Sequence, residues 1–358
     1  MYKRQLLKKL EIDQYFDLSL IVFGSHLSRF HGYTIDHILA EGFRIEDKVE
    51  SLILGDSAEA ISNAIGNTIT KFSSIWSSLK KRTDLVICLG DRYEMFAAVS
   101  ALVPFNIPVA HLHGGETTLG AIDNTFRHAL TLMSKYHFVS TSNYAQKVKQ
   151  IVGSDLNIYN TGALSLDNLN DMELLDIDQF KEQFKIDISI PTILTTFHPE
   201  TISAEKNETY AEILCNVFGE LTDKYQIVIT MPNTDTLGTI IRQKFSAFIS
   251  SNSSVIGVEN FGTLGYFSCI KHCAFLLGNT SSGIIEAASF GKYVIDLGDR
   301  QKGRAISENV LNADITREEI LSKVQFLEKK ESFNYKGSNI YYNGNSSDSI
   351  IEILKRIV

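Results

Sequence analysis

Long apolar runs and a surplus of basic side chains are both absent from this sequence of 358 residues, and cysteine is scarce, with four residues. The apolar runs have the length of strands, far below the ~20 residues of a membrane span. No two cysteines form a C-x-x-C pair, so reduced thiols are expected instead of a zinc or redox motif of that kind. Residues 1–10 are basic but lack the apolar segment of a signal peptide, so a cytoplasmic location is expected.

The charge balance is acidic, with 34 basic and 42 acidic side chains and a net charge of −8. Nucleic acids and anionic membranes favour basic proteins, so neither is expected as a partner. An anionic small molecule remains compatible, because a few well-placed arginines can hold a diphosphate. With 44% hydrophobic and 21% charged residues, the composition is that of a soluble globular protein, and the length suits two α/β domains.

Short apolar segments alternate with segments of helical period along the whole sequence. Continuous apolar strands separated by helices predict parallel sheets covered on both faces, the doubly wound architecture. Helices are predicted at Ala58–Leu79, Tyr93–Leu102, Ala204–Leu221 and Gly283–Phe290. Strands are predicted at Leu18–Phe23, Leu85–Leu89, Ile107–Leu112, His137–Ser140, Asn157–Asn160, Thr192–Thr196, Gln226–Thr230, Ser254–Val258, Ala274–Leu277 and Tyr293–Asp296.

A polar stretch around Leu164–Asp178 separates two series of strands. We place the domain boundary there, which gives domains of residues 1–170 and 171–358. The last predicted helix, Asp348–Val358, could pack back on the first domain. The first helix, Lys3–Leu10, precedes the first strand, whereas a doubly wound domain normally begins with a strand. Either this domain is built differently or its first strand and loop are absent.

The sequence GDRYE follows the strand that ends at Leu89. The carboxyl ends of parallel strands border the ligand crevice, and there Asp91 offers a carboxylate and Arg92 a fork for phosphate. The alternative is a helix capped by Asp91, with Arg92 solvated.

The sequence HLHGGE follows the next strand. His111 and His113 lie on one side of the extended chain, and the glycines allow backbone N–H groups close to a ligand. The H-x-H spacing also permits a metal site, although spacing identifies no third ligand.

A third cluster lies on a predicted helix. Asn124, Arg127 and His128 share one face, with Asp123 at the N-cap. This face is either solvated or part of the same crevice, since it begins eight residues after the two glycines.

In the second domain, the sequence GNTSSGIIE at residues 278–286 joins a strand to a helix. The helix start presents free N–H groups to an anion, and Thr280, Ser281 and Ser282 add hydroxyl groups. Glu286, one turn later, can accept two hydrogen bonds from a diol such as ribose. A helix capped by serine is the alternative, but a cap needs fewer small polar residues.

Two other clusters of the second domain also follow strands. His198 lies beside a proline-fixed turn, where it can contact a diphosphate or move a proton, or be structural. Arg300, Lys302 and Arg304 bring three cations into five residues, which suits phosphate unless the loop is only solvated.

These blocks resemble, in order and spacing, the hydrolysing UDP-N-acetylglucosamine 2-epimerases of bacterial sialic-acid and related nonulosonic-acid synthesis. GDRYE, HLHGGE, the D-N-x-x-R-H block, FHPET, GNTSSGIIE and GDRQKGR span essentially the whole chain. The resemblance implies two Rossmann-like domains of GT-B type with the ligand cleft between them. It also implies a homodimer or homotetramer.

The resemblance assigns a role to each candidate residue. The implied proton-transfer residues are Asp91, Asp123, Glu116, His113 and His198. The residues implied to bind UDP or the sugar are Arg92, Arg127, Asn233, Tyr266, Thr280, Ser281, Ser282, Gly283, Glu286 and Arg300. UDP-N-acetylglucosamine and water would give N-acetylmannosamine and UDP by anti elimination and addition of water, with no metal or redox cofactor.

The sequence departs from the family pattern at two places. Many members carry a glutamate where this chain has His113, which leaves Glu116 as the remaining carboxylate of that block. Members also begin with a strand and a loop whose arginine reaches the ligand, and we expect that segment of about 15–20 residues to be missing here.

Four other functions remain open. The substrate could be UDP-2,4-diacetamido-2,4,6-trideoxyglucose, because the pocket around C4 and C6 cannot be read from motifs. The others are a GT-B glycosyltransferase, a binding protein without activity, and metal-dependent hydrolysis through His111 and His113.

Overall fold

A computed structural model describes residues 4–29, 33–53, 55, 57–117, 119, 122–167, 169, 172–200, 204–232 and 238–358. The chain divides into two compact units. The first contains Met1–Glu116, Ile122–Asn168 and Asn343–Val358, and the second contains Thr117–Ala121 and Leu169–Tyr342. The C-terminal segment therefore belongs to the first unit.

Strands and helices alternate along the described chain, and all paired strands are parallel. The strands are β1 (Leu20–Phe23), β2 (Ile45–Val49), β3 (Val86–Leu89), β4 (Val109–Leu112), β5 (Tyr136–Val139), β6 (Ile158–Asn160), β7 (Thr192–Thr196), β8 (Gln226–Thr230), β9 (Val255–Val258), β10 (Phe275–Gly278), β11 (Val294–Leu297) and β12 (Val310–Ala313). The helices are α1 (Arg4–Ile12), α2 (Ile35–Ala40), α3 (Ala58–Leu79), α4 (Tyr93–Leu102), α5 (Asp123–Met133), α6 (Ser142–Val152), α7 (Ile177–Phe184), α8 (Asn207–Leu221), α9 (Thr239–Ser251), α10 (Gly262–His272), α11 (Ser281–Ile285), α12 (Arg317–Glu328) and α13 (Ser346–Ile357).

The predicted parallel α/β architecture is confirmed. Each predicted strand is present within two residues of its expected ends, and α3 and α4 have the predicted bounds. The helix predicted at Gly283–Phe290 differs: α11 begins earlier, at Ser281, and the chain continues as a 3-10 turn over Ala287–Phe290. Within the described residues, no helix has both the length and the apolar character needed to cross a membrane.

The sheet of the first unit is in two parts. β1 pairs with β2, whereas β3, β4, β5 and β6 form a four-stranded sheet in that order. Phe23 of β1 packs edge to face on Phe72 of α3, with ring centroids 4.9 Å apart. Val86 of β3 packs in the same cluster around Phe72. On the other face, Leu6 of α1 and Ile350 of α13 share a core with β4 and β5.

The C-terminal helix α13 is fixed to the first unit by Asp167, which is 1% exposed. The backbone N–H groups of Ser346 and Ser347 donate to its carboxylate over 2.8 and 2.7 Å. A carboxylate at a helix N-terminus accepts otherwise unpaired N–H groups and interacts favourably with the helix dipole. α13 is therefore an anchored element of this unit.

The second unit contains a continuous six-stranded sheet in the order β12-β11-β10-β7-β8-β9. β7 and β10 are neighbours, so the loops that follow them begin side by side. Gly278, at the end of β10, needs the absence of a side chain because a Cβ there would lie 2.1 Å from the carbonyl oxygen of Thr196. This close approach positions the loop that begins with Asn279.

Candidate active site

In the first unit, Arg127 of α5 joins the two loops that follow β3 and β4. Its guanidinium is buried and forms an ion pair with Asp91. It also donates to the backbone carbonyl of Glu116 over 2.8 Å. Asp91 is not the cap of α4, because Arg92 occupies that position. The pairing with Arg127 therefore replaces the alternative of a capping aspartate.

Asp123 is the second carboxyl of this cluster. Burial raises its pKa above the ordinary value, and the charge of Asp91 raises it further, against the opposing charges of Arg92 and Arg127. The expected N-cap role of Asp123 was wrong: α5 begins at Asp123 itself, after Ile122. A carboxyl with a raised pKa beside a second carboxyl is suited to proton transfer.

Glu116 is nearly fully buried, and its carboxylate is fixed from two directions. His113 Nδ1 lies 2.8 Å from Oε1 of Glu116, and Ser140 donates to the same oxygen over 2.9 Å. His113 adopts a left-handed backbone with φ of 62°, a conformation that is rare for residues other than glycine. Strain of this kind is concentrated at functional sites, and here it directs the His113 ring to Glu116.

Arg92 is engaged by Glu94, to which it donates two hydrogen bonds of 3.0 Å. Glu94 is buried, whereas the Arg92 side chain is 62% exposed. Gly24, which follows β1, lies against Glu94, because a Cβ there would be 3.3 Å from its Cγ. The loop after β1 therefore borders this cluster, a feature that the sequence interpretation missed.

His111 lies beneath this cluster and is completely buried. Its Nε2 is 3.0 Å from the carbonyl oxygen of Gly90, and its Nδ1 is 3.2 Å from the Thr131 hydroxyl. Both ring nitrogens thus have protein partners. The described residues include no group of three His, Cys, Asp or Glu side chains that could hold a metal ion.

In the second unit, Asn279 connects three loops. Its side chain accepts from the N–H of His198 over 2.7 Å and donates to the carbonyl of the same residue over 2.8 Å. Its own carbonyl accepts from Arg300 and from Gln301, over 3.3 and 2.8 Å. Asn279 therefore holds the β7, β10 and β11 loops together. It was not among the predicted site residues.

The predicted anion-binding loop follows Asn279. Thr280 caps α11 by accepting from the N–H of Ser282 over 3.4 Å, and Ser281 begins the helix. Gly283 packs closely on β11, because a Cβ there would lie 2.9 Å from Val294. Glu286, one turn on, is almost fully buried. These residues occur together, as the spacing predicts.

Tyr266 of α10 lies beside this loop. Its hydroxyl is 3.2 Å from Thr196. Burial raises its pKa, although hydrogen bonds with Thr196 and Thr280 act in the opposite direction. The phenol therefore remains protonated at neutral pH. Asn233, the other candidate for this side of the ligand, lies outside the described residues.

The charges around His198 decide what this residue can do. Burial, with the charge of Arg300, lowers the pKa of His198 to about 4. The imidazole is therefore neutral at pH 7 and contributes a hydrogen bond or accepts a proton, whereas Arg300 supplies the positive charge.

Asp296 of β11 is a titratable residue that the sequence interpretation missed. Burial raises its pKa to about 7, although the charges of Arg304 and Arg300 lower it.

Missed residues of both units share one property, which is that they support other site residues. Glu94 binds Arg92, Ser140 binds Glu116, and Gln301 binds the carbonyl of Asn279. Glu94 and Gln301 lie inside the motifs GDRYE and GDRQKGR, whereas Ser140 lies outside the motifs. Glu200, in the motif FHPET, is a further supporting residue. Its Oε1 accepts from the N–H of Asp299 over 2.9 Å. The strand-end rule could have identified Glu200 and Asn279.

The two-unit parallel fold, with carboxylates in one unit and a small polar loop with arginines in the other, defines a class of nucleotide-sugar enzymes. A crystal structure of UDP-GlcNAc 2-epimerase from Neisseria meningitidis bound to UDP-GlcNAc has this fold, with a TM-score of 0.80 and 19% identity. The match covers 99% of this chain and 96% of that one. The predicted GT-B fold class is thereby confirmed.

The family follows from the sequence itself. The family model described as UDP-N-acetylglucosamine 2-epimerase matches residues 8–355, and the chain belongs to that family of epimerases.

Two of the relatives that this chain matches are more than 30% identical to it over most of its length. The UDP-N,N'-diacetylbacillosamine 2-epimerase (hydrolyzing) of Legionella pneumophila is 32% identical over 354 residues, which is 99% of this chain and 92% of the relative. The GDP/UDP-N,N'-diacetylbacillosamine 2-epimerase (hydrolyzing) of Campylobacter jejuni is 31% identical over 329 residues, which is 92% of this chain and 84% of the relative.

Proposed function

We propose that this chain is a hydrolysing 2-epimerase of a UDP-activated 2-acetamido sugar. The observation that carries the proposal is the pair of carboxyls Asp91 and Asp123 beside the buried Arg127, in which burial and the charge of Asp91 raise the pKa of Asp123. A nucleotide-binding protein without turnover needs no such pair. The names of the relatives from Legionella and Campylobacter support the hydrolysing reaction.

The reaction would proceed in two steps. A carboxylate takes the proton from C2, the C2 electron pair forms the C1–C2 double bond, and the C1–O bond breaks with its electrons leaving on UDP. Water then adds across this glycal: a carboxylic acid gives a proton to C2 from the opposite face, the hydroxyl of the water bonds to C1, and the other proton of the water passes to a carboxylate. Asp91 and Asp123 would carry these transfers.

Other residues would share the remaining tasks. His113 and Glu116 would orient or activate the water, since the histidine holds the carboxylate at 2.8 Å. In the second unit, Arg300 and the Thr280–Gly283 loop would stabilise the charge that develops on the leaving diphosphate. Glu286 would bind the ribose hydroxyls, and Tyr266 would lie near the uracil. His198 would contact the diphosphate as a neutral imidazole.

The substrate is a separate part of the proposal. UDP-2,4-diacetamido-2,4,6-trideoxyglucose is favoured, because the relatives from Legionella and Campylobacter, at 32% and 31% identity, carry the name of the diacetamido sugar. UDP-N-acetylglucosamine is the second candidate, since the family description names it. The two sugars differ at C4 and C6, away from the reacting carbons.

One experiment tests the reaction and the substrate together. The protein is incubated with each UDP-sugar in D2O, and the products are followed by NMR. We expect release of UDP and a 2-epimerised sugar with deuterium at C2, faster from the diacetamido substrate. An undeuterated product, or a released sugar with unchanged C2 configuration, would contradict the elimination route. Equal rates would remove the substrate preference.

A further inference from the structure

His111 lies where three parts of the first-unit site meet. It is on β4, and its ring contacts the Gly90 turn after β3 and Thr131 on α5. Its Nδ1 also lies under the β4 loop, since a Cβ on Gly114 would be only 3.0 Å from it. The ring is completely buried. It therefore contacts a backbone carbonyl and a buried hydroxyl, and no part of the ring is on the protein surface.

The hydrogen bonds define the tautomer of this ring. The carbonyl oxygen of Gly90 can only accept, so the hydrogen is on Nε2. Nδ1 then lies as an acceptor 3.2 Å from the hydroxyl of Thr131, whose single hydrogen is shared between this nitrogen and the carbonyl oxygen of Arg127, 3.0 Å away. Burial lowers the pKa of His111 to about 4, so this neutral form persists throughout the neutral range. A fixed neutral imidazole is a rigid bridge between a turn and a helix.

The two ends of this bridge carry the two candidate proton-transfer groups. Gly90 directly precedes Asp91 in the chain, and Thr131 lies on the same helix as Asp123 and Arg127. On the basis of the proposed function, we infer that His111 is a positioning residue, which fixes the Gly90–Asp91 turn against α5 and so sets the separation of the Asp91 and Asp123 carboxyls. A displacement of about 1 Å at such a site can lower the rate about 100-fold.

Two substitutions separate the two hydrogen bonds of the ring. The amide of a glutamine reaches the place of Nε2, so His111→Gln keeps a donor for the Gly90 carbonyl. The shorter asparagine reaches only the place of Nδ1, so His111→Asn keeps a partner for Thr131 and releases the turn. We expect kcat to fall about 10- to 100-fold in His111→Asn, with KM within about threefold, and to remain within about threefold in His111→Gln.

A second, independent variant crowds the ring of His111 from the side of the β4 loop. Gly114→Ala would place a methyl group 3.0 Å from His111 Nδ1 and 3.1 Å from the Thr131 hydroxyl. We expect the same direction of change as in His111→Asn. His137 provides the matched control, because it pairs with His111 in register on the neighbouring strand and is also buried. His137→Gln should leave kcat within about twofold.

The deciding readout is the titration of Asp123, which does not depend on turnover. The charge of Asp91 contributes to the raised pKa of Asp123. Release of the Gly90–Asp91 turn should therefore lower the Asp123 midpoint, measured by NMR of 13C-labelled aspartate and assigned with Asp123→Asn. The acid limb of kcat/KM should move in the same direction in His111→Asn and stay in place in His111→Gln.

The outcomes distinguish this inference from the proposed function. If the wild type turns over neither UDP-sugar, the proposed function is refuted. If the Asp123 midpoint nevertheless shifts in His111→Asn and not in His111→Gln, the positioning role is supported. Equal midpoints in the wild type and both His111 variants would overturn the positioning role, whatever the activity. Equal losses of kcat in the Asn and Gln variants, in proportion to lost thermal stability, would also overturn it.

Discussion

The two units differ in the continuity of their sheets and in the chemistry of their loops. The second unit pairs six strands without interruption, whereas in the first no backbone hydrogen bond joins β1 to β3 among the described residues. The first unit collects carboxyls and buried arginine at its strand ends, and the second collects small polar residues, arginines and a neutral histidine. The unit with the interrupted sheet thus carries the groups suited to move protons.

The interruption occurs at a meaningful place in the strand order. One more strand, placed before β1 in the chain and between β1 and β3 in the sheet, would give the seven-stranded order 3-2-1-4-5-6-7, which contains the 3-2-1-4-5-6 order of doubly wound sheets. β1 and β3 both pack against the cluster around Phe72, so side chains bridge the place where the backbone ladder stops. Shared helices can therefore maintain the architecture of a sheet without continuous strand pairing.

The largest expected effect is on catalysis, which should depend on the first unit and leave UDP binding by the second unit unaffected. Asp123→Asn, which keeps the shape but removes the titrating group, should lower kcat about 10²- to 10⁴-fold and leave UDP affinity unchanged. Steady-state kinetics and calorimetric titration with UDP measure the two effects. Asp155→Asn, an exposed aspartate of the first unit paired with Lys149, is the control. A loss of UDP affinity equal to the loss of kcat would contradict the division.

The converse effect is expected in the second unit. Arg300→Met removes a cation beside the polar loop and should weaken UDP binding about 10- to 100-fold, because hydrogen bonds to charged groups contribute about 1.5–3 kcal/mol. Arg300→Lys should recover part of the affinity, since lysine keeps the charge but loses the planar fork. Lys302→Met is the matched control, because Lys302 is exposed and paired with Asp299. Unchanged UDP affinity in Arg300→Met would count against this site.

Hydrogen exchange tests the difference in strand pairing between the sheets of the two units. Backbone amides of β1 and β3 should exchange faster than those of β7 and β10, because β7 and β10 are each paired on both sides. Exchange followed by mass spectrometry with peptide resolution would measure this. Equal protection of the four strands would remove the distinction between the units.

The smallest effect is the response to acid. Burial lowers the pKa of His137 to about 4, whereas the unfolded value is near 6.5. The unfolded chain therefore binds a proton that the folded chain does not, and this contribution to stability is lost as the pH falls from about 6.5 to about 4. His137→Gln should narrow the difference between unfolding temperatures at pH 7.5 and pH 5. An unchanged difference would refute this account of His137.

The sequence predicts internal elements well because burial imposes a pattern. β7 and β8 were predicted with their observed bounds, whereas β2 and β12 were missed. Both missed strands lie at sheet edges, where one side meets water and the apolar run is broken. In β2 this break consists of Glu46, Asp47 and Lys48. The spacing of apolar residues alone could not distinguish such a segment from a loop.

The sequence predicted where along the chain the site residues lie, but not which of them contact one another. Motifs identified Asp91 and Arg127, but their ion pair joins residues 36 positions apart and follows from the packing of α5. The reading of Arg92 as a fork for phosphate did not include Glu94, two residues away, which binds both arms of that fork. Supporting contacts of this kind depend on side-chain directions, which spacing does not define.

The capture of α13 by Asp167 has a consequence for the order of folding during synthesis. Leu6 and Leu10 of α1 pack with Ile350 and Leu354 of α13, so part of the first core consists of residues that are synthesised after the whole second unit. Domains usually fold in the order in which they are made. Here the second unit can complete its six-stranded sheet while the first unit still lacks α13.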